Sequence, residues 1–195
     1  MRRIPLFLAL LLAVPALYAA HPAATSAAPA AQAAWKTRLS TELPLLGHRN
    51  WILIVDSAYP LQSSPGVETI DTGSSQLDVV RYVLNVVNHS IHVRPDVFMD
   101  AELPFVPDND APGASAYRTA IAAVLKGYAV QSVLHDKIIS TIGQTGSQFH
   151  VLVLKSTMTV PYSSVFIRLN CRYWGDDAEQ RMRAKMAAAG VSATP

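Results

Sequence analysis

Apolar residues in this chain come in short blocks of two kinds, and the two kinds predict two kinds of element. Trp51–Val55, Val97–Met99, Val151–Leu154 and Val165–Leu169 are short runs rich in β-branched residues, too short for helices that bury every face, and each predicts a buried strand. Between them lie segments with helical spacing. Ser75–His89 places Leu77, Val80, Leu84 and Val87 three and four apart, with Asp78 and Arg81 off the stripe. Ala114–Gly127 turns Ala120, Val124 and Leu125 inward, and Asp136–Ile142 forms a third helix with His135 at its start. Asp176-Asp177-Ala178-Glu179 has the form of a capping box and opens a last helix closed by Gly190. Gln62–Gly66 and Pro107–Gly113 are turn-rich loops. Strands alternating with helices predict a three-layer α/β sandwich around a largely parallel central sheet.

The ends of the chain follow other patterns. Residues 1–20 carry Arg2-Arg3, an apolar stretch Leu6–Leu17 and small residues at Ala19-Ala20, the three parts of a secretory signal. The apolar stretch is shorter than a membrane span needs. The expectation is cleavage near Ala19 or Ala20, export to a periplasm or to the medium, and no stable membrane span afterwards. Residues 21–34, rich in Ala, Pro, Ser and Thr, are read as a flexible linker. A single domain is expected over 35–190, opening with a short helix at Ala34–Leu39, and a disordered tail over 191–195.

Composition narrows the function classes. Half of the 195 residues are hydrophobic and 15% are charged, enough for one domain with a sizeable core. The formal charge of +2 includes Arg2 and Arg3; without them 14 basic residues face 14 acidic ones, which leaves no electrostatic case for nucleic acid. Cys171 is the only cysteine, so no disulfide forms within the chain, and a buried structural thiol is expected.

Candidate chemistry gathers around the first strand. In open α/β sheets ligands bind outside the carboxyl ends of strands, which marks Asp56, just after Val55. His48, before the strand, can exchange protons near neutral pH. It equally suits a histidine bonding the turn at Gly47, and spacing alone favours that. An extended run separates His48 from Asp56 by roughly 20 Å. They share a site only if the Gly47 turn folds back or a second subunit supplies one of them. His135 fits a helix cap about as well as a ligand, and Tyr162 fits a packed aromatic or a hydrogen-bond donor. Of Asp100 and Glu102, Glu102 is the secondary site candidate, with a solvated loop acid as the alternative. His89 and His92 do not sit on a convincing helix, and no metal site is expected. His150 is assigned to packing or solvent. Asp71-Thr72-Gly73-Ser74-Ser75 spells an aspartic-protease motif, but that chemistry needs two such aspartates and the chain has one copy. A turn at Gly73 and a helix cap at Ser74 or Ser75 account for it.

Leu46-Gly47-His48, the apolar strand and the ending Asp56-Ser57-Ala58-Tyr59-Pro60 resemble the opening of the ribose pyranase and fucose mutarotase family. Pro161-Tyr162-Ser163-Ser164-Val165-Phe166-Ile167 resembles that family's late Pro-Tyr segment, and His135 falls where it has another binding histidine. The resemblance runs from about Leu43 to Met186. It implies that His48 is the catalytic histidine, that Asp56, His135 and Tyr162 hold a free monosaccharide, and that subunits assemble into a ring-shaped homo-oligomer with sites between them. Ser164 departs from the pattern, where ribose pyranases tend to carry Asn, and this bears on which sugar is bound. The reaction implied is interconversion of anomers or ring forms by acid/base ring opening, which requires no cofactor. The alternative expectation is an exported sugar-binding or scaffold protein that keeps the fold without turnover.

Overall fold

The computed structural model describes residues 27–191, with side chains from residue 34 onward. The expected signal segment, the first part of the linker and residues 192–195 lie outside the described residues. The chain enters through helix α1 (Ala27–Glu42), so the expected linker ends sooner than its composition predicted. Alanine is the strongest helix former, and the helix is tied down where Trp35 and Leu39 drop into the core. The remaining elements are β1 (Trp51–Val55), β2 (Val67–Asp71), α2 (Gln76–His89), β3 (Val93–Asp100), α3 (Ala114–Val124), β4 (Val130–Val133), α4 (His135–Thr145), β5 (Val151–Lys155), β6 (Val165–Cys171) and α5 (Asp176–Ala188).

The six strands form one sheet in the order β2-β5-β1-β6-β3-β4. The pairs β2–β5, β5–β1 and β3–β4 are parallel, while β6 runs antiparallel to both β1 and β3. Alternation along the strands feeds two cores. Ile52, Ile54, Leu152 and Leu154 point to the face covered by α1, α2 and α3, and Trp51, Leu53, Val151 and Val153 point to the face covered by Ile138 and Ile142 of α4. The three-layer α/β expectation therefore holds.

Sequence patterning missed β2 and β4, the two edges. Neither is an apolar run, and both are only half-covered or exposed. β3 is longer than Val97–Met99. It includes Pro95, tolerated because β4 flanks β3 only from Val97 on. Helix α2 is capped as expected: the Ser75 Oγ accepts from the Asp78 backbone N–H. The rest of the protease-like motif is structural too. Asp71 Oδ1 accepts from Gly73 N, Gly73 takes the left-handed turn, and Thr72 Oγ1 donates to Lys155 O at 2.7 Å. The capping box expected at α5 is not made. No side chain caps that helix, and Glu179 instead accepts from Trp174 Nε1 and Arg183 Nε. Cys171 is half-buried.

Candidate active site

Parallel strands end together, and here four segments meet at their carboxyl edge. Asp56 follows β1, Asp100 closes β3, and His135 opens α4 directly after β4. Because β6 runs the other way, the loop leading into it arrives at the same edge. The register sets Met99 opposite Val165, which brings Ser164 beside Asp100. A cleft of about 450 Å³ opens there, lined by Asp56, Ser57, Ala58, Tyr59, Pro60, His135, Thr159, Pro161 and Tyr162. That volume suits a small molecule.

The chemistry of the cleft centres on a histidine–aspartate pair. His135 Nδ1 lies 3.0 Å from Asp100 Oδ1, with the ring partly exposed and the carboxylate fully covered. The Asp100 carboxyl is pushed up to about 6, chiefly by burial and to a smaller extent by Glu102 and Asp56, against the lowering effect of the bond and charge of His135. Among the described residues, Asp100 Oδ2 has no hydrogen-bond partner. The Tyr162 ring meets the His135 ring edge-on at 5.3 Å, and Tyr162 itself has a positive φ of 57°. Tyr162 thus sits in a backbone conformation that side chains other than glycine adopt rarely. Asp56 Oδ1 accepts from Ala58 N at 2.8 Å, which fixes the turn after β1. The Tyr59 phenol accepts from Gln62 Nε2, and burial followed by the nearby Asp100 and Asp56 charges raises its pKa.

A buried polar network holds the loop before β6. Tyr117 Oη donates to Ser163 O at 2.6 Å, and Gln76 Nε2 donates to both Tyr117 Oη and Ser163 O. The single Ser156 Oγ proton is shared between Gln76 Oε1 and Val55 O, each 2.9 Å from Oγ. The first residue of α2, the end of β1 and the loop carrying Tyr162 are therefore fastened to one another, a rigid support for a site.

The residues expected from sequence are thus divided. Asp56, His135 and Tyr162 come together on the cleft. Ser164 is 1% exposed and does not line it, and its Oγ, like that of Ser163, has no hydrogen-bond partner among the described residues. Glu102 is a cap: its two carboxylate oxygens accept from His135 N at 3.0 and 3.1 Å, so it holds the start of α4 where a first-turn N–H needs a partner. His48 is exposed in the turn before β1, at the other end of the strand from Asp56. The Gly47 turn closes on itself, with Gly47 N donating to Asn50 Oδ1, and does not carry His48 back. His92 is structural, its Nε2 near Leu43 O and Leu46 O. The acid that sequence reasoning passed over is Asp100.

No protein-family model matches the sequence, and no curated protein matches it. Solved structures do. RbsD of Bacillus subtilis, determined in complex with D-ribose, superposes with a TM-score of 0.50 at 12% identity, over 68% of this chain and 90% of its own. The chain has the RbsD fold. FucU of Bifidobacterium longum gives 0.45 at 17% identity, over 67% of this chain and 90% of its own. The fucose mutarotase of Streptococcus pneumoniae, in complex with L-fucose, gives 0.45 at 17%, over 67% and 89%. Within that fold, the edge where β1, β3 and β4 end is the edge that carries the cleft.

Proposed function

We propose that this protein binds a free monosaccharide in the cleft and interconverts its anomers or ring forms. The observation that carries the reading is His135 on the cleft wall, beside Asp56 and Tyr162, with its Nδ1 bonded to the buried Asp100. Opening a cyclic hemiacetal takes a proton from the anomeric hydroxyl and delivers one to the ring oxygen; closing reverses both transfers. With Asp100 ionised, its Oδ1 holds the proton on His135 Nδ1 and leaves Nε2 to exchange protons with the sugar. Asp56 and Tyr162 hold hydroxyls and fix the ring against the imidazole. His48, at the far end of β1, reaches such a cleft only from a second copy of the chain. In that assembly it is the second acid/base group. No step in this scheme calls for a cofactor. The leader-like residues 1–20 support a sugar met outside the cytoplasm, and among the described residues no helix is long and apolar enough to cross a membrane.

Saturation-transfer NMR on a panel of free pentoses and hexoses tests the reading, because only a catalyst carries magnetisation between anomers. The parent is expected to accelerate exchange for at least one sugar, and His135→Ala to lower that rate about 100-fold or more. Sugar binding without exchange in the parent assigns the protein to the alternative, a binding or scaffold protein. Unchanged exchange in His135→Ala rejects the mechanism.

A further inference from the structure

The opposite end of the sheet carries a second polar cluster, built from three elements far apart in sequence. Glu42 is the last residue of α1, Glu68 is the second of β2, and His150 immediately precedes β5. One ligand atom from each lies within 4.8 Å of the others. Glu42 is only 8% exposed, and its Oε2 has no hydrogen-bond partner among the described residues. His150 Nε2 is likewise covered and without a hydrogen-bond partner among the described residues, 3.7 Å from Glu42 Oε2 and 3.9 Å from Glu68 Oε2. These separations are too long for hydrogen bonds. Arg38 occupies the remaining Glu42 oxygen, with Nε 2.5 Å from Oε1, and its Nη2 is 3.0 Å from Glu68 Oε2. Two carboxylates against one guanidinium leave the cluster with a net negative charge while His150 is neutral.

We propose that Glu42, Glu68 and His150 bind a divalent first-row transition metal of the Zn²⁺ type. Imidazole nitrogen and carboxylate oxygen are both Zn²⁺ donors, and water would complete the tetrahedron, whereas Mg²⁺ and Ca²⁺ favour all-oxygen sites. Donors about 2.1 Å from a tetrahedral ion lie about 3.4 Å from one another, close to the 3.7 and 3.9 Å between His150 Nε2 and the two carboxylate oxygens, while the carboxylate pair lies within 4.8 Å. The backbone on either side is already fixed: His150 O accepts from Trp51 N and from Asn50 Nδ2. Bound there, the ion straps α1 to β2 and to the start of β5. It sits at the far edge of the sheet from the cleft, so its role is structural and independent of the sugar reading.

The test is a titration of chelator-treated full-length protein with Zn²⁺ and with Co²⁺, by calorimetry and visible absorption. The expected result is one ion per chain with micromolar or tighter affinity, intense tetrahedral Co²⁺ bands, and a higher Tm that EDTA reverses. Glu42→Gln and His150→Gln are each expected to weaken binding tenfold or more. Absence of binding at millimolar metal overturns the proposal, as does equal affinity in both variants. Anomalous scattering from Co²⁺-soaked crystals of the parent decides the case if the variants do not fold. A peak among the three side chains supports the site, and a peak only elsewhere overturns it.

Discussion

Asp100 is buried on the core side of the cleft, and burial pushes its carboxyl from the ordinary 3.8 up to about 6. A carboxyl raised on folding holds its proton more tightly in the native state than in the unfolded chain. Native stability therefore falls as pH rises through the window from 3.8 to about 6, and the full penalty applies above it. At 1.36 kcal/mol per pH unit that penalty is about 3 kcal/mol at pH 7.5 and about 1 kcal/mol near pH 4.5. Asp100→Asn removes the charge and is expected to stabilise the protein by about those amounts at the two pH values, read from urea midpoints. The same substitution is expected to slow anomer exchange, because the fixed anion that orients the His135 proton is gone. In the parent, exchange should fall as pH drops below about 6; in Asp100→Asn that acid limb should flatten. A residue that costs stability yet supports turnover marks a functional site. Sequence could place two acids at the end of β3, but its choice of Glu102 fell on the wrong one for the histidine pair. Pairing with β6 decides which one is buried, and the start of α4 decides that Glu102 is a cap.

Gly66 shows how tightly the elements next to the cleft's strands are joined. Its N–H donates to Gly146 O at 2.8 Å and its carbonyl accepts from Val151 N at 2.9 Å, linking the entry to β2 with the turn before β5. A Cβ placed on Gly66 would meet Phe149 O at 2.5 Å and Gly146 O at 2.7 Å, both rigid backbone atoms. Gly66→Ala is therefore expected to cost about 1–3 kcal/mol, seen as a lower urea midpoint with unchanged slope. A stability equal to the parent's would show that the two loops are not held in this register. At this scale the buried elements were legible: β1 spans the apolar run Trp51–Val55, and Ser75 caps α2. What escaped were the edges. β2 reads Val-Glu-Thr-Ile-Asp and β4 reads Val-Gln-Ser-Val, and their strand identity comes from pairing with β5 and β3. The cluster of Glu42, Glu68 and His150 was invisible for a related reason. Its three ligands share no spacing motif and meet only because β2 and β5 pair in parallel beside the end of α1.

At the scale of the whole molecule, the unresolved relation is between His48 and the cleft. One chain places His48 and His135 at opposite ends of the sheet, so a site that uses both must draw on two copies. This arrangement makes a prediction that a single-chain site cannot satisfy. His48→Ala and His135→Ala are each expected to lose exchange activity alone. After co-refolding in equal amounts, each mixed assembly contains some sites with His135 from the first variant and His48 from the second. Random assortment within a closed homo-oligomer restores about a quarter of the parental rate per site. If His48→Ala alone exchanges anomers as fast as the parent, His48 is a turn residue and His135 works within one chain with Asp56. If both variants are inactive and mixing restores nothing, the two histidines belong to the same chain's contribution, and the geometry of the cleft has to be rebuilt around that fact. Sedimentation of the parent at the assay concentration completes the argument, since rescue by mixing requires an assembly larger than one chain.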